Sequence, residues 1–145
     1  MLLRLVVAFS LLAACVVIHA TVLTLAFRRI GPVPDIEGGP SWRILWSLIR
    51  IALWLISAHL VEIAVWAVFY TAAGVFPDAE SSFYFSAVTY TTVGYGDLVL
   101  PQEWRLLGPV EGLTGILMCG LSTGFFFAVV SRFLGAKSAA GRTGS

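Results

Sequence analysis

Nearly unbroken apolar runs occupy Leu5 to Phe27, Ile51 to Ala73 and Gly112 to Ser131, with no alternation of the kind that would give one wet face. Each reaches the roughly 20 residues that a helix needs to cross a hydrocarbon core. The first run holds no charge and one histidine, the second holds His59 and Glu62, and the third is charge-free with Glu111 just before it. A fourth apolar stretch, Ser81 to Thr91, is too short to span, and a half-length segment between two full spans reads as re-entrant. The pattern therefore predicts an all-α membrane protein with three transmembrane helices and one short helix dipping in and out on the same side. Arg4 ahead of the first run raises the alternative of a signal peptide. The apolar core is longer than the about 7 to 15 residues of a signal h-region, which favours a retained helix.

Composition agrees with the bilayer assignment: 59% of residues are hydrophobic, 12% are charged, and the mean hydropathy is +0.92. A net charge of +1 offers no basic stripe to a phosphate backbone, so nucleic acid is excluded as a partner. Cys15 and Cys119 sit in apolar runs without a Cys or His at ligand spacing and read as small packing residues. No nucleotide loop, nucleophile and base, or metal cluster is visible, so the expected activity is not enzymatic and no cofactor is implied.

Charge bias sets an orientation. Arg28, Arg29, Arg43 and Arg50 lie between the first two spans or at the start of the second, and Arg132, Lys137 and Arg142 follow the last. Both regions are expected to be cytoplasmic, in a cell membrane, with the N-terminus outside. The Pro77 to Glu103 segment, with Asp78, Glu80, Asp97 and Glu103, suits the outer face. The expected division is an N-terminal transmembrane helix over 1–30, a Pro- and Gly-rich cytoplasmic loop over 31–41, a pore domain over 42–134, and a disordered tail over 135–145. Trp42, Arg43, Trp46 and Arg50 mix aromatic and basic groups, as an interfacial helix would; the simpler expectation is that they form the first turns of the second span.

Thr91 to Asp97 read TTVGYGD. This segment resembles the filter signature of the potassium channel pore family, and the resemblance extends over roughly Ser41 to Arg132. It implies an outer helix at 42–73, a pore helix at 79–91, a filter at 92–96 and an inner helix at 103–134. It also implies K⁺ sites lined by the carbonyls of Thr92, Val93, Gly94 and Tyr95, with the Thr92 hydroxyl at the inner end and the Gly96 carbonyl at the mouth. The chemistry follows from the residues themselves. A dehydrated cation needs replacement oxygens, and backbone carbonyls supply them without burying fixed charge. Aiming successive carbonyls at one axis requires alternating backbone hand, which Gly94 and Gly96 permit at low cost. One strand of carbonyls cannot surround an ion, so the single motif implies a homotetramer.

Pro77, Asp78 and Glu80 are helix-start signals for the pore helix, which would aim its carbonyl end at the ion. Phe83, Tyr84, Phe85 and Tyr90 resemble the family's aromatic cuff, with Thr91 closing the helix. Where the family often has paired tryptophans this chain has Tyr84 and Phe85, so a brace on Asp97 has to come from the Tyr84 hydroxyl. Val88 stands where some bacterial members carry a glutamate.

On the inner helix, Gly108, Gly112, Gly115, Gly120 and Gly124 suit close packing, and by resemblance Gly115 or Gly120 is a hinge. Phe125, Phe126 and Phe127 suit either packing or a hydrophobic gate. His59 and Glu62, three apart, share a helix face and can satisfy one another. Glu111 is either a hydrogen-bonded strut behind the pore helix or a pH-linked group. His19 with Ala13, Ala14 and Ala20 permits helix packing. Arginines at every third position are missing, so the first helix carries no voltage-sensing charges. Lipid and K⁺ are the expected partners, with room for a regulatory subunit on a separate chain. The competing functions are a pore-loop subunit of a potassium uptake transporter and a non-conducting membrane scaffold.

Overall fold

The computed structural model describes residues 2–30 and 41–143. Four helices follow in chain order: α1 (Leu2–Ile30), α2 (Ser41–Ala72), α3 (Ala79–Tyr90) and α4 (Leu107–Thr143). Three are long and apolar enough to cross a membrane, over Leu2–Arg29, Ile44–Ala72 and Leu107–Phe133, and no strand occurs among the described residues. The protein is an all-α membrane protein. The expected loop over 31–41 lies outside the described residues except for Ser41, which begins α2. Trp42 to Arg50 are the first turns of that same helix.

Contacts fix the directions of the helices. Ala8 and Cys15 of α1 share a core with Trp66 and Tyr70 of α2, while Leu23 packs near Ile51 and Leu55, so α1 and α2 run antiparallel. Val129 and Phe133 of α4 join Ile51 and Leu55, whereas Leu107 and Met118 join Trp66 and Tyr70, so α2 and α4 are antiparallel as well. Helix α3 sits at one end of this three-helix layer, with Phe85 and Tyr90 in the same core as Tyr70. At that end the Arg4 guanidinium lies over the Trp104 ring at 5.4 Å.

Local chemistry explains the boundaries. Helix α2 ends in a Schellman turn, in which the Val75 amide donates to the Tyr70 carbonyl at 2.9 Å and that of Gly74 to Thr71 at 3.1 Å. The turn places Gly74 at φ 65°, which glycine adopts without strain. Asp78 caps α3, accepting from the Ser81 amide at 2.7 Å, and that bond holds its carboxyl below the usual carboxylate range.

Two expected boundaries are corrected. The inner helix begins at Leu107, not 103, because the Pro101 and Trp104 carbonyls accept from the Trp104 and Leu107 amides at 2.8 and 2.9 Å, making two tight turns first. Pro109 then falls in the first helical turn, where its missing N–H costs nothing. The tail expected to be disordered from 135 continues α4 to Thr143, with 144–145 outside the described residues. Extending a nucleated helix through Ala136, Lys137, Ala139 and Ala140 is cheap, so low hydrophobicity alone did not end it.

Candidate functional site

The segment after α3 is held by its amides. The Thr91 amide donates to the Ala87 carbonyl at 3.1 Å and that of Thr92 to Thr89 at 2.9 Å. Those of Val93 and Gly94 both donate to Val88, at 3.0 and 3.2 Å. Val88 thus supports this segment through its main chain, whatever its side chain lacks. The Thr91 hydroxyl turns back to the Ala87 carbonyl at 2.7 Å. With the amides engaged against α3, the chain alternates in hand: Thr92, Gly94 and Gly96 have φ of 62°, 55° and 77°. The positive φ at Thr92 is a strained conformation for a β-branched residue and was not foreseen, since only the glycines signal it in sequence. Val93 and Tyr95 are 52% and 73% exposed in a single protomer.

Residues 51–132, more than half of the chain, match a family model described as ion channel. The chain belongs to this ion channel family. No curated protein and no solved structure matches it. The family match runs from the middle of α2 through most of α4 and leaves α1 outside.

Within the ion channel module, Tyr84 reaches the end of the strained segment, its hydroxyl donating to Asp97 Oδ2 at 2.7 Å. This bond holds the Asp97 carboxyl below the usual range, helped by the Leu98 amide at 3.0 Å. A carboxyl depressed in this way stabilises the contact above its ordinary titration range and loses it as pH falls. Tyr84→Phe is therefore expected to move the Asp97 titration back up toward ordinary aspartate and to shift the acid sensitivity of the loop with it. A pH series of carboxyl carbon NMR shifts on labelled protein checks this, and an unmoved Asp97 midpoint would count against the brace. Phe85 works differently from Tyr84: its ring packs 5.4 Å from Tyr70 and 5.0 Å from Phe76. It also lines, with Tyr84, Val88, Gly94 and Asp97, a cleft of about 300 Å³ behind the loop. In a single protomer Phe83 and Tyr84 are exposed, while Phe85 is buried and Tyr90 is buried against α2.

The inner-helix glycines separate. A Cβ on Gly115 would stand 1.8 Å from the Tyr90 carbonyl oxygen, whereas one on Gly120 would meet nothing within 4 Å. Close approach accounts for Gly115, and Gly120 lies on the open face of α4. Phe125 and Phe126 pack onto the Ile51, Leu55, Val129 and Phe133 cluster, while Phe127 is 71% exposed.

Glu111 is fully buried, accepting from the Tyr70 hydroxyl at 2.7 Å and bonded to the Ser86 hydroxyl at 2.6 Å, so it spans α2 and α3. Ser86 also meets the Ile63 carbonyl at 2.9 Å. The Ser86 hydroxyl thus stands between two acceptors, one on α2 and one on α4, with a single proton to offer them. His59 and Glu62 approach to 3.5 Å, yet nearer partners are the Tyr90 hydroxyl for both and His19 for Glu62 at 2.9 Å. His19, Ser122 and Ser86 were not singled out from sequence as site residues. The available signal for His19 was an ionisable group within a wholly apolar span.

Proposed function

We propose that the protein is a potassium channel subunit, conducting K⁺ passively through a pore enclosed by four copies. One observation carries the reading: positive φ recurs at Thr92, Gly94 and Gly96 within an uninterrupted TTVGYGD, with the amides of Thr92, Val93 and Gly94 bonded back to α3. Alternating hand with spent amides leaves the carbonyls of Thr92, Val93, Gly94 and Tyr95, the Thr92 hydroxyl and the Gly96 carbonyl as ligands for a dehydrated ion. Helix α3 points its carbonyl end toward the same place, adding partial negative charge without a fixed anion.

The apolar face of α4 that carries Leu113, Ile116, Leu117 and Leu121 is exposed in one protomer and packs against neighbouring copies in the tetramer. On this face Gly120 serves as the hinge and Phe127 as the ring that narrows the inner mouth. The N-terminus lies outside a cell membrane, with Arg28, Arg29, Arg50 and Arg132 on the cytoplasmic side. Conduction needs no cofactor.

Purified protein in liposomes is expected to release K⁺ down its gradient, with barium block and a sodium flux at least tenfold smaller. Solute-coupled uptake without passive flux would favour the transporter subunit. No flux from stable tetramers would favour a scaffold.

A further inference from the structure

Five side chains from all four helices bond in a closed circuit among α1, α2 and α4 and the end of α3. Glu62 Oε1 lies 2.9 Å from His19 Nδ1, and His19 Nε2 lies 3.1 Å from Ser122 Oγ. Ser122 Oγ lies 3.0 Å from His59 Nε2, and His59 Nδ1 lies 3.0 Å from the Tyr90 hydroxyl. The Tyr90 hydroxyl donates to Glu62 Oε2 and closes the circuit. Four of the five residues are buried, and the fifth, His59, has a side chain 19% exposed.

Each contact needs one proton between its two heavy atoms. A carboxylate supplies none, a neutral imidazole one, a serine one and a tyrosine one. Ionised Glu62 with two neutral histidines therefore brings four protons to five contacts. One contact would then set lone pair against lone pair, and the circuit would carry a net negative charge inside the membrane. We propose that this circuit is a proton-binding site that closes by taking up one proton beyond that complement, locking α1 onto the end of the pore helix. With it, each member donates once and accepts once: Glu62 to His19, His19 to Ser122, Ser122 to His59, His59 to Tyr90, and Tyr90 to Glu62. An imidazolium and carboxylate pair holds the same number, so the count is independent of where the proton rests.

The groups facing the circuit do not supply a compensating charge. Cys15 on α1 and Cys119 and Glu111 on α4 are the other titratable side chains near it. Among the described residues, Glu62 pairs only with the two histidines. Against an opened form with ionised Glu62 and neutral histidines the closed form binds one proton more, so above the ordinary histidine range a lower pH favours closure. Raising pH past the titration point favours opening by up to about tenfold per pH unit. Proton exchange runs through His59, the member with accessible surface.

Glu62→Gln tests the count, because a side-chain amide donates once and accepts once and completes all five contacts with neutral imidazoles. Thermal unfolding of full-length protein in lipid nanodiscs is measured across a pH series. Above the ordinary histidine range wild type is expected to lose stability as pH rises, and Glu62→Gln, whose circuit needs no extra proton, to stay level there. A variant that keeps the wild-type slope overturns the proposal. Should the variant not fold, nitrogen and carboxyl NMR on wild type decides by counting the protons on the two imidazoles and the Glu62 carboxyl: three are expected in the closed circuit, and two overturn it. The ligand atoms of His19, His59 and Glu62 also lie within 4.8 Å of one another. Stoichiometric uptake of added zinc at neutral pH would make the cluster a metal site and overturn the proton reading. None of these readouts uses ion flux, so the result stands apart from the potassium reading.

Discussion

Gly115→Ala is expected to leave little or no properly folded protein in the membrane, while Gly120→Ala, five residues further along α4, folds normally. The added Cβ at 115 would sit 1.8 Å from the Tyr90 carbonyl oxygen and 2.8 Å from its carbon, both backbone atoms of a helix end. No rotamer change relieves such a contact, so α4 has to move away from α3. Overpacking typically costs 1–3 kcal/mol, and the top of that range, about 3 kcal/mol, applies where rigid main chain is the obstacle. In this chain the displacement also pulls on Glu111 and Ser122, which sit on α4 and bond to α3 or to the polar circuit beside it. Size-exclusion yield and thermal unfolding of the two variants side by side give the answer. Equal behaviour of Gly115→Ala and wild type would mean that α3 and α4 are not packed as described.

The second large effect is expected at Gly94. An alanine there meets no neighbour within 4 Å, so the penalty is purely conformational, from φ 55°. For an L-residue this costs roughly 1–2 kcal/mol, and it recurs in every copy around the proposed pore. The strain is relieved by flipping the 93–94 peptide, which withdraws a carbonyl from the ion path. Since about 1.4 kcal/mol is a tenfold change in an equilibrium, the preference for K⁺ over Na⁺ is expected to fall at least tenfold. Reversal potentials under bi-ionic conditions measure it. D-alanine at the same position, introduced by semisynthesis, adopts positive φ without strain and is expected to restore the preference. Loss of selectivity with both enantiomers would place the cause in side-chain bulk.

The spans and the re-entrant helix could be read from sequence because burial in lipid demands length and apolarity, both of which are one-dimensional properties. The alternation through Gly94 and Gly96 was equally legible, since glycine at every second position has few other uses. Thr92 was not, because its positive φ is imposed by amides bonding back to α3 and leaves no trace in residue type. His59 and Glu62 were paired correctly by helical spacing, yet the stronger partners come from α1, α3 and α4. Partners separated by 43 or 103 residues, as in Glu62 with His19 and Ser122 with His19, have no periodicity to betray them. Helix α4 continues past the apolar span because polarity marks exit from the bilayer without ending a helix, and Gly135 and Gly141, the breakers that 135–143 offers, do not stop it.

The family match starts at Ile51, yet the hydrogen-bonded circuit around Glu62 reaches back to His19. His19 supplies two of the five links that keep the Glu62 carboxyl from meeting acyl chains as a bare anion. A trimmed version lacking α1 would therefore leave Glu62 with Tyr90 and His59 alone, without the His19 contact that α1 supplies. What looks like an accessory segment is, in electrostatic terms, part of the pore module's insulation.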